Sequence, residues 1–507
     1  MSGFGGFAMT GLQLLSAAFL FIVGLGVLVV IYMYLVDSSQ SRDAIRHNYP
    51  VVGRFRELFT RLGEFFRQYF FALDREEMPF NRSQRDWIYA SAKGRNNTQP
   101  FGSTLNLNGL GTPIFVNCAF PKLDEEATDP PPVLFGPYTR HPYEASSIIN
   151  VSAMSYGSLS KPAIQALSRG AKLAGCYMNT GEGGLSPFHL EGGCDIVFQI
   201  GTAKYGVRNK DGGLDDQKLA DLASKPEVKM IEVKLAQGAK PGKGGILPAS
   251  KVNKEVAKIR GIPVGKASLS PNRHPEIDSV SELLDFTDRV RRVSGLPTGF
   301  KTVLGAYGWI DELCDEIERR GLESAPDFIT LDSGDGGTGA APMSLMDNVG
   351  LPIWQSLPML ADILRRRGLK DRIRIITSGK LVTPADVAWA YCAGADVVNT
   401  ARGFMFSIGC IQALRCHTNH CPTGITTHKK SLQGGLVPKT KAPQVASYVE
   451  KMRKDVAMIA HSCGAAHARG LKPKHVRIVQ EDGTSKPLDE ICEEMRPKAP
   501  GEYKAAS

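Results

Sequence analysis

From Ser147 to Gly403 the chain repeats one unit: a short apolar run, a loop of glycine and small polar residues, then a stretch with helical spacing. The runs are SIINVSAM (147–154), CYMNTGEGG (176–184), KMIEVKL (229–235), TGFKTVLG (298–305), DFITLDSG (327–334), RIRIITSG (372–379) and ADVVNTARG (395–403). Strands that alternate with helices pair in parallel, and this many consecutive units predict an α/β fold, a closed (β/α)8 TIM barrel. Each run ends in small or polar residues, and in such a barrel those ends form the active-site face. We place the barrel at 146–470, a lead-in at 41–145 and a tail at 471–507.

The last two runs say most about a ligand. Thr377, Ser378, Gly379 and Lys380 follow one, and Thr400, Ala401, Arg402 and Gly403 follow the other. Loops after the seventh and eighth barrel strands bind phosphate through backbone N–H groups and a cationic side chain. Ser333, Gly334, Asp335, Gly336, Gly337 and Thr338 add a glycine loop that a ligand can approach closely. Ordinary turns are the alternative for any one of these loops; three in register point to a phosphate-bearing cofactor. Ser152, Ala153, Met154 and Ser155 would line its ring from the first strand. Lys301 would place a cation at its electron-rich edge, or else run its stem along the barrel mouth.

Seven residues beyond Gly403 begins CIQALRCHTNHCP, with Cys410, Cys416 and Cys421 in a C-x5-C-x4-C array. Soft thiolates suit iron, whereas the spacing fits neither the four-cysteine ferredoxin runs nor the paired cysteines of zinc sites. The array reads either as three structural thiols or as ligands of a three-cysteine 3Fe-4S cluster. A barrel holding one phosphate beside such a cluster suggests FMN. The remaining cysteines are scattered, which argues for a reducing compartment.

Lys234, Lys240, Lys243, Lys251 and Arg260 cluster around a glycine-rich loop. Paired cations of this kind trap a dicarboxylate, or else form a solvated charged face. Glu182 would lie against them, holding or deprotonating an amine, or pairing with a lysine. No long basic run accompanies the formal charge of +10, so nucleic acid is not an expected partner.

Residues 12–36 contain no charge, and a bilayer needs about twenty such residues. We expect a single transmembrane anchor at 1–40. Arg42, Arg46, Arg54, Arg56 and Arg61 follow it, which would leave the catalytic domain in the cytoplasm. Phe59, Leu62, Phe65, Phe66, Tyr69, Phe70 and Phe71 continue as an amphipathic stretch suited to a membrane surface or to packing on the domain.

Over 148–470 the motifs SAMSYGSLS, NTGEGG, KLAQGAKPGKGG, SGDGGTGAAP and CIQALRCHTNHCPTG resemble the FMN-binding synthase domain of the glutamate synthase large subunit. The resemblance implies an FMN barrel with one 3Fe-4S cluster on Cys410, Cys416 and Cys421, forming L-glutamate from 2-oxoglutarate and ammonia through 2-iminoglutarate. It places Lys234, Lys240 and Arg260 around the oxo-acid, with Glu182 as the acidic residue of that pocket. No glutaminase domain precedes the barrel, so ammonia would come from solution or from an amidotransferase partner. No dinucleotide fingerprint precedes a helix with the required spacing, so electrons would come from ferredoxin or a reductase partner. Where the family has GEGGQ, this chain has GKGGI, with Lys243 and Ile246. An N-methylglutamate synthase-type subunit, or a membrane electron-transfer flavoprotein without oxo-acid chemistry, are the alternatives.

Overall fold

Eight parallel strands close into a barrel in the computed structural model, which describes residues 2–494. They are β1 (Ile149–Val151), β2 (Met178–Asn179), β3 (Ile196–Ile200), β4 (Val228–Lys234), β5 (Thr298–Thr302), β6 (Phe328–Asp332), β7 (Arg374–Ser378) and β8 (Val397–Thr400). Each pairs with the next, and β8 pairs with β1, with Val398 opposite Ile149. The expected TIM barrel is therefore present. The sequence repeat did not mark β3. A four-residue helix, Pro187–Leu190, stands between β2 and β3 in place of a full crossover helix, so the interval that identified the other strands is shortened there.

The helix Lys161–Ala174 illustrates how the crossovers are fixed locally. Ser160 Oγ accepts the Ala163 N–H at 3.3 Å, Pro162 sits in the first turn where its missing N–H costs nothing, and Gly175 ends the helix at φ +63°. Its apolar residues Ile164, Leu167 and Ala171 follow helical spacing and are fully buried.

A hairpin stoppers the N-terminal end of the barrel. Val133–Phe135 pairs antiparallel with Tyr143–Ala145, and Val133, Phe135 and Ala145 pack into one cluster with Tyr177, Val197, Met230, Phe328, Ile376 and Val397 from the strand starts. The Phe135 and Phe328 rings meet edge to face, with centroids 5.7 Å apart. A second antiparallel sheet joins the lead-in to the region beyond 470: Pro113–Phe115 pairs with Val476–Val479, which pairs with Ser485–Pro487. The rest of the expected tail, 495–507, lies outside the described residues.

The chain divides into two compact units, 1–82 and 83–507. In the first, the helix Ser2–Ser39 is long and apolar enough over Met9–Ser39 to cross a membrane, and its most apolar stretch is unburied. Arg54 Nε and Nη2 each donate to the Asp37 carboxylate at 2.8 Å, joining the end of that helix to the start of the helix Gly53–Phe66. Phe55, Leu58, Phe59, Leu62, Phe65 and Phe66 fall on one face of the second helix, and all are exposed.

Candidate active site at the strand ends

The C-terminal ends of the strands line two adjoining chambers open to solvent, with Ala153, Glu182 and Arg402 in the walls of both. Parallel strands buried on both faces ordinarily read as continuous apolar runs. Here polar side chains interrupt β2, β3, β4 and β6 at inward positions: Asn179, Gln199, Glu232 and Thr330, all nearly inaccessible to solvent.

Lys301 on β5 and Asp332 on β6 form the floor of the smaller chamber, with Nζ 3.0 Å from Oδ2. Burial disfavours the ammonium, but Asp332, with Glu232 and Glu182 further away, holds its pKa above the ordinary lysine value. Burial likewise opposes the Asp332 charge, and Lys301 and the Gly238 N–H outweigh it, keeping the carboxyl below its ordinary value. Ser378 Oγ donates to the other carboxylate oxygen at 2.7 Å, tying β7 into the same pair.

Glu182 lies between the chambers. Lys234 Nζ is 2.9 Å from its Oε1, and a Cβ at Gly245 would come within 2.2 Å of that oxygen, so the glycine backbone forms the opposite wall. Burial raises the Glu182 pKa, but Lys234, Lys240 and Arg260 together bring it below the ordinary glutamate value. Lys240 is only 4% exposed, and burial with Lys234 nearby brings its pKa down to about 8. Arg260, at the end of the helix Lys254–Arg260, donates to Ser268 Oγ at 3.1 Å and lies over the Tyr205 ring, while its buried Nε has no hydrogen-bond partner among the described residues. Lys234, Lys240 and Arg260 thus surround one carboxylate. Lys251 joins them from the side, donating to the Ser158 and Cys416 carbonyls at 3.1 and 2.7 Å, and Ile246 contributes an apolar wall. Lys243 is not among the residues lining either chamber.

The three glycine loops surround the smaller chamber unequally. Ser152, Ser155, Gly337, Ser378, Gly379, Lys380, Thr400, Ala401 and Arg402 line it, whereas Met154 and Thr338 line the larger one. Gly379 has φ +110°, and a Cβ there would meet Ser333 Cβ at 2.3 Å, so this turn admits only glycine. Lys380 Nζ pairs with Asp335 at 2.7 Å. Gly334 presses on the Gly350 backbone, Gly336 on the Ser333 carbonyl, and Gly403 on the Tyr448 hydroxyl. These three serve close packing behind the walls.

Arg402 bridges the chambers to the thiol loop. Its Nη2 donates to the Thr338 carbonyl at 2.6 Å, and its Nη1 lies 3.8 Å from Cys416 Sγ. Cys416 lines the larger chamber. Burial pushes the Cys410 thiol up to about 11, Arg402 opposes this, and Cys416 and Cys421 add to it. Cys421 Sγ lies 3.4 Å from Thr423 Oγ1. Burial raises the Cys421 pKa, but Thr423 and Thr426 outweigh it and bring it below the ordinary thiol value. Between the first and last cysteine, Gln412, Leu414 and Asn419 all have φ between +53° and +62°. Each such residue costs roughly 1–3 kcal/mol and persists only where its surroundings over-determine it. Asn419 shows how: its side chain donates to the Ser250 carbonyl and accepts the His428 N–H. Among the described residues no three His, Cys, Asp or Glu side chains are gathered tightly enough for a single metal ion.

Gln199, Glu232, Gln237 and Asp332 were not singled out by the sequence reading. A polar residue at an inward position of an otherwise apolar parallel strand was the signal available for Gln199, Glu232 and Asp332. Gln237, which receives a hydrogen bond from Lys234 and donates to Thr338 Oγ1 at 3.1 Å, sits in a loop that carries no such signal.

A TIM barrel with a buried cationic cavity at its strand ends and a cysteine loop at its rim belongs to the barrel enzymes. Residues 128–466 match the family model described as the conserved region in glutamate synthase. The glutamate synthase large subunit-like protein YerD of Bacillus subtilis (strain 168) is 37% identical over 94% of this chain and 97% of its own length. The archaeal-type glutamate synthase [NADPH] of Dehalococcoides mccartyi is 32% identical over 64% of this chain, which spans 62% of that enzyme's length. Among solved structures, a mutant flavocytochrome b2 with pyruvate bound covers 83% of this chain and 90% of its own, with TM-score 0.45 and 14% identity. The chain belongs to the glutamate synthase family and is an oxidoreductase of that type.

Proposed function

We propose that this protein is an FMN- and iron-sulfur-dependent glutamate synthase-type oxidoreductase that converts 2-oxoglutarate and ammonia to L-glutamate. The observation that carries the reading is Glu182 set against Lys234 with Lys240 and Arg260 also buried beside it, on the wall shared by both chambers. Three cations around one carboxylate leave a net positive pocket that suits a dianion.

The smaller chamber suits FMN. Lys301 presents a buried cation at its floor, and the glycine turn at Gly379, with Lys380 and Arg402, supplies the donors that a phosphate needs. The donor set of the thiol loop suits iron, and its three positive-φ residues support a loop shaped to present sulfurs. When bound, the flavin supplies two-electron chemistry and the cluster one-electron transfer.

The chain's own residues account for the rest of the reaction. Condensation of 2-oxoglutarate with ammonia gives 2-iminoglutarate and water; two electrons and two protons then complete glutamate. Lys240 and Arg260 hold carboxylates and so orient the imine carbon. Glu182, kept ionised, stabilises the protonated imine nitrogen. Electrons come from ferredoxin or a reductase partner, and ammonia from solution or an amidotransferase partner. The helix Ser2–Ser39 anchors the chain in a membrane with the barrel on the cytoplasmic side, and the exposed aromatic face of Gly53–Phe66 rests on the lipid surface.

Ile246 favours a second reading of the same chemistry. It lines the larger chamber with Met154 and Leu247, an apolar wall that would accept the methyl group of methylamine and yield N-methylglutamate. The test is direct. The purified, chemically reduced protein is given 2-oxoglutarate with ammonia, glutamine or methylamine, and glutamate is expected with ammonia. N-Methylglutamate in preference would establish the second reading, and no product with any donor despite bound FMN would leave an electron-transfer flavoprotein.

A further inference from the structure

A lysine ammonium taken out of water needs an anion beside it. Among the described residues, the buried lysines meet this need with one exception. Lys204 Nζ lies 2.8 Å from Glu276, Lys234 Nζ 2.9 Å from Glu182 and Lys301 Nζ 3.0 Å from Asp332. Lys240 feels Glu182 at longer range and faces the larger chamber. Lys251 is 2% exposed and has no carboxylate at ion-pair distance among the described residues. Its Nζ is spent on main-chain oxygens instead, those of Ser158 at 3.1 Å and of Cys416 at 2.7 Å. The turn that carries it, Ala249–Lys251, is tied to the thiol loop a second time, because Asn419 Nδ2 donates to the Ser250 carbonyl at 3.1 Å.

The three thiols of that loop are not treated alike. Cys416 has Arg402 Nη1 3.8 Å from its sulfur and Lys251 on its carbonyl. Cys410 offers its carbonyl to the Tyr89 hydroxyl at 2.6 Å, and Cys421 Sγ lies 3.4 Å from Thr423 Oγ1, so the hydrogen-bond partners of these two are neutral. Loaded with iron, three thiolates and inorganic sulfide make the loop anionic, and taking up one electron adds a further negative charge without making or breaking a bond. A fixed cation at a buried site favours that added charge. We infer that Lys251 is the positioning residue that holds Cys416 and supplies the cation opposite the cluster, raising the potential at which the cluster accepts its electron. The inference rests on the iron-sulfur reading above and adds a polarity to it: the favourable field is concentrated at Cys416, the thiol that faces the larger chamber.

The test separates the charge of Lys251 from its hydrogen bonds. The full-length protein is reduced stepwise with dithionite in the presence of redox mediators, and the cluster is followed by electron paramagnetic resonance. Lys251→Gln keeps N–H donors and loses the charge, while the Asn419 contact still docks the turn. With iron per chain retained, its one-electron reduction equilibrium is expected to fall by about tenfold or more, a drop of about 59 mV or more for such a couple. Lys251→Arg keeps the charge and should stay within about threefold of wild type. A wild-type potential in Lys251→Gln means that only the hydrogen bonds matter and overturns the assignment, as does a Lys251→Arg protein that falls as far as the glutamine variant. Should Lys251→Gln lose its iron, Lys251→Arg decides alone: a potential near that of wild type upholds the assignment, and a tenfold fall overturns it. A wild type that binds no cluster after reconstitution with iron and sulfide overturns the iron-sulfur reading itself, and this inference with it.

Discussion

Lys301 and Asp332 stand on adjacent strands with their charged atoms 3.0 Å apart, and each is kept ionised by the other against the cost of burial. Removing one charge leaves its partner uncompensated in a dry site, which costs about 3–5 kcal/mol. Asp332→Asn should lower the melting temperature and weaken retention of the flavin, because the Gly238 and Ser378 contacts also depend on this carboxylate. Thermal unfolding followed by circular dichroism, and the flavin-to-protein ratio after gel filtration, check both outcomes. An unchanged melting temperature would mean that the pair is not the anchor of the floor.

The lowered pKa of Lys240 gives the reaction an alkaline limit. Its ammonium form is present below about pH 8 and is lost above it, and only the charged form holds a carboxylate. For the free enzyme kcat/KM should fall by about tenfold per pH unit above that point. Arginine stays charged throughout, so Lys240→Arg should move the limb upward even if the rate at neutral pH drops. A pH profile that is flat to pH 10 in wild type would remove Lys240 from oxo-acid binding.

Cys416 is the thiol that lines the larger chamber and meets Arg402, so it should be essential to any cluster on the loop. Cys416→Ala is expected to abolish the broad visible absorbance of the cluster while leaving the flavin bands, with iron per chain falling in parallel. Unchanged iron content would refute the ligand assignment.

Much of the barrel could be read from sequence because its information is local. Apolar runs that end in glycine and small polar residues recur wherever a full crossover helix separates two strands, and the loops after β7 and β8 carried their own cations, Lys380 and Arg402. β3 escaped because the four-residue helix before it breaks the interval. Glu182, Lys234, Lys240 and Arg260 were legible as charges beside glycines. That Glu182 lies at the centre of them depends on Gly245 folding over it, a contact between residues far apart in the chain. Gln199 and Glu232 carried a signal as polar residues within apolar strands, but that they meet each other across β3 and β4 is a relationship a sequence does not state.

Phe135 should matter to the whole barrel although it is remote from the chambers. Truncating a fully buried phenylalanine costs about 3–5 kcal/mol, part of it for the cavity left behind. Phe135→Ala is expected to lower the denaturant midpoint without altering the pH profile of the protein that remains folded. A loss of activity at full folded fraction would instead place the hairpin in the catalytic cycle.

The hairpin at 133–145 also bears on which end of the barrel can receive a ligand. With Phe135 packed among the strand starts, the barrel is filled at that end, and the chambers lie at the opposite one. The reactants of the proposed reaction would then approach from the side of Glu182 and Arg402.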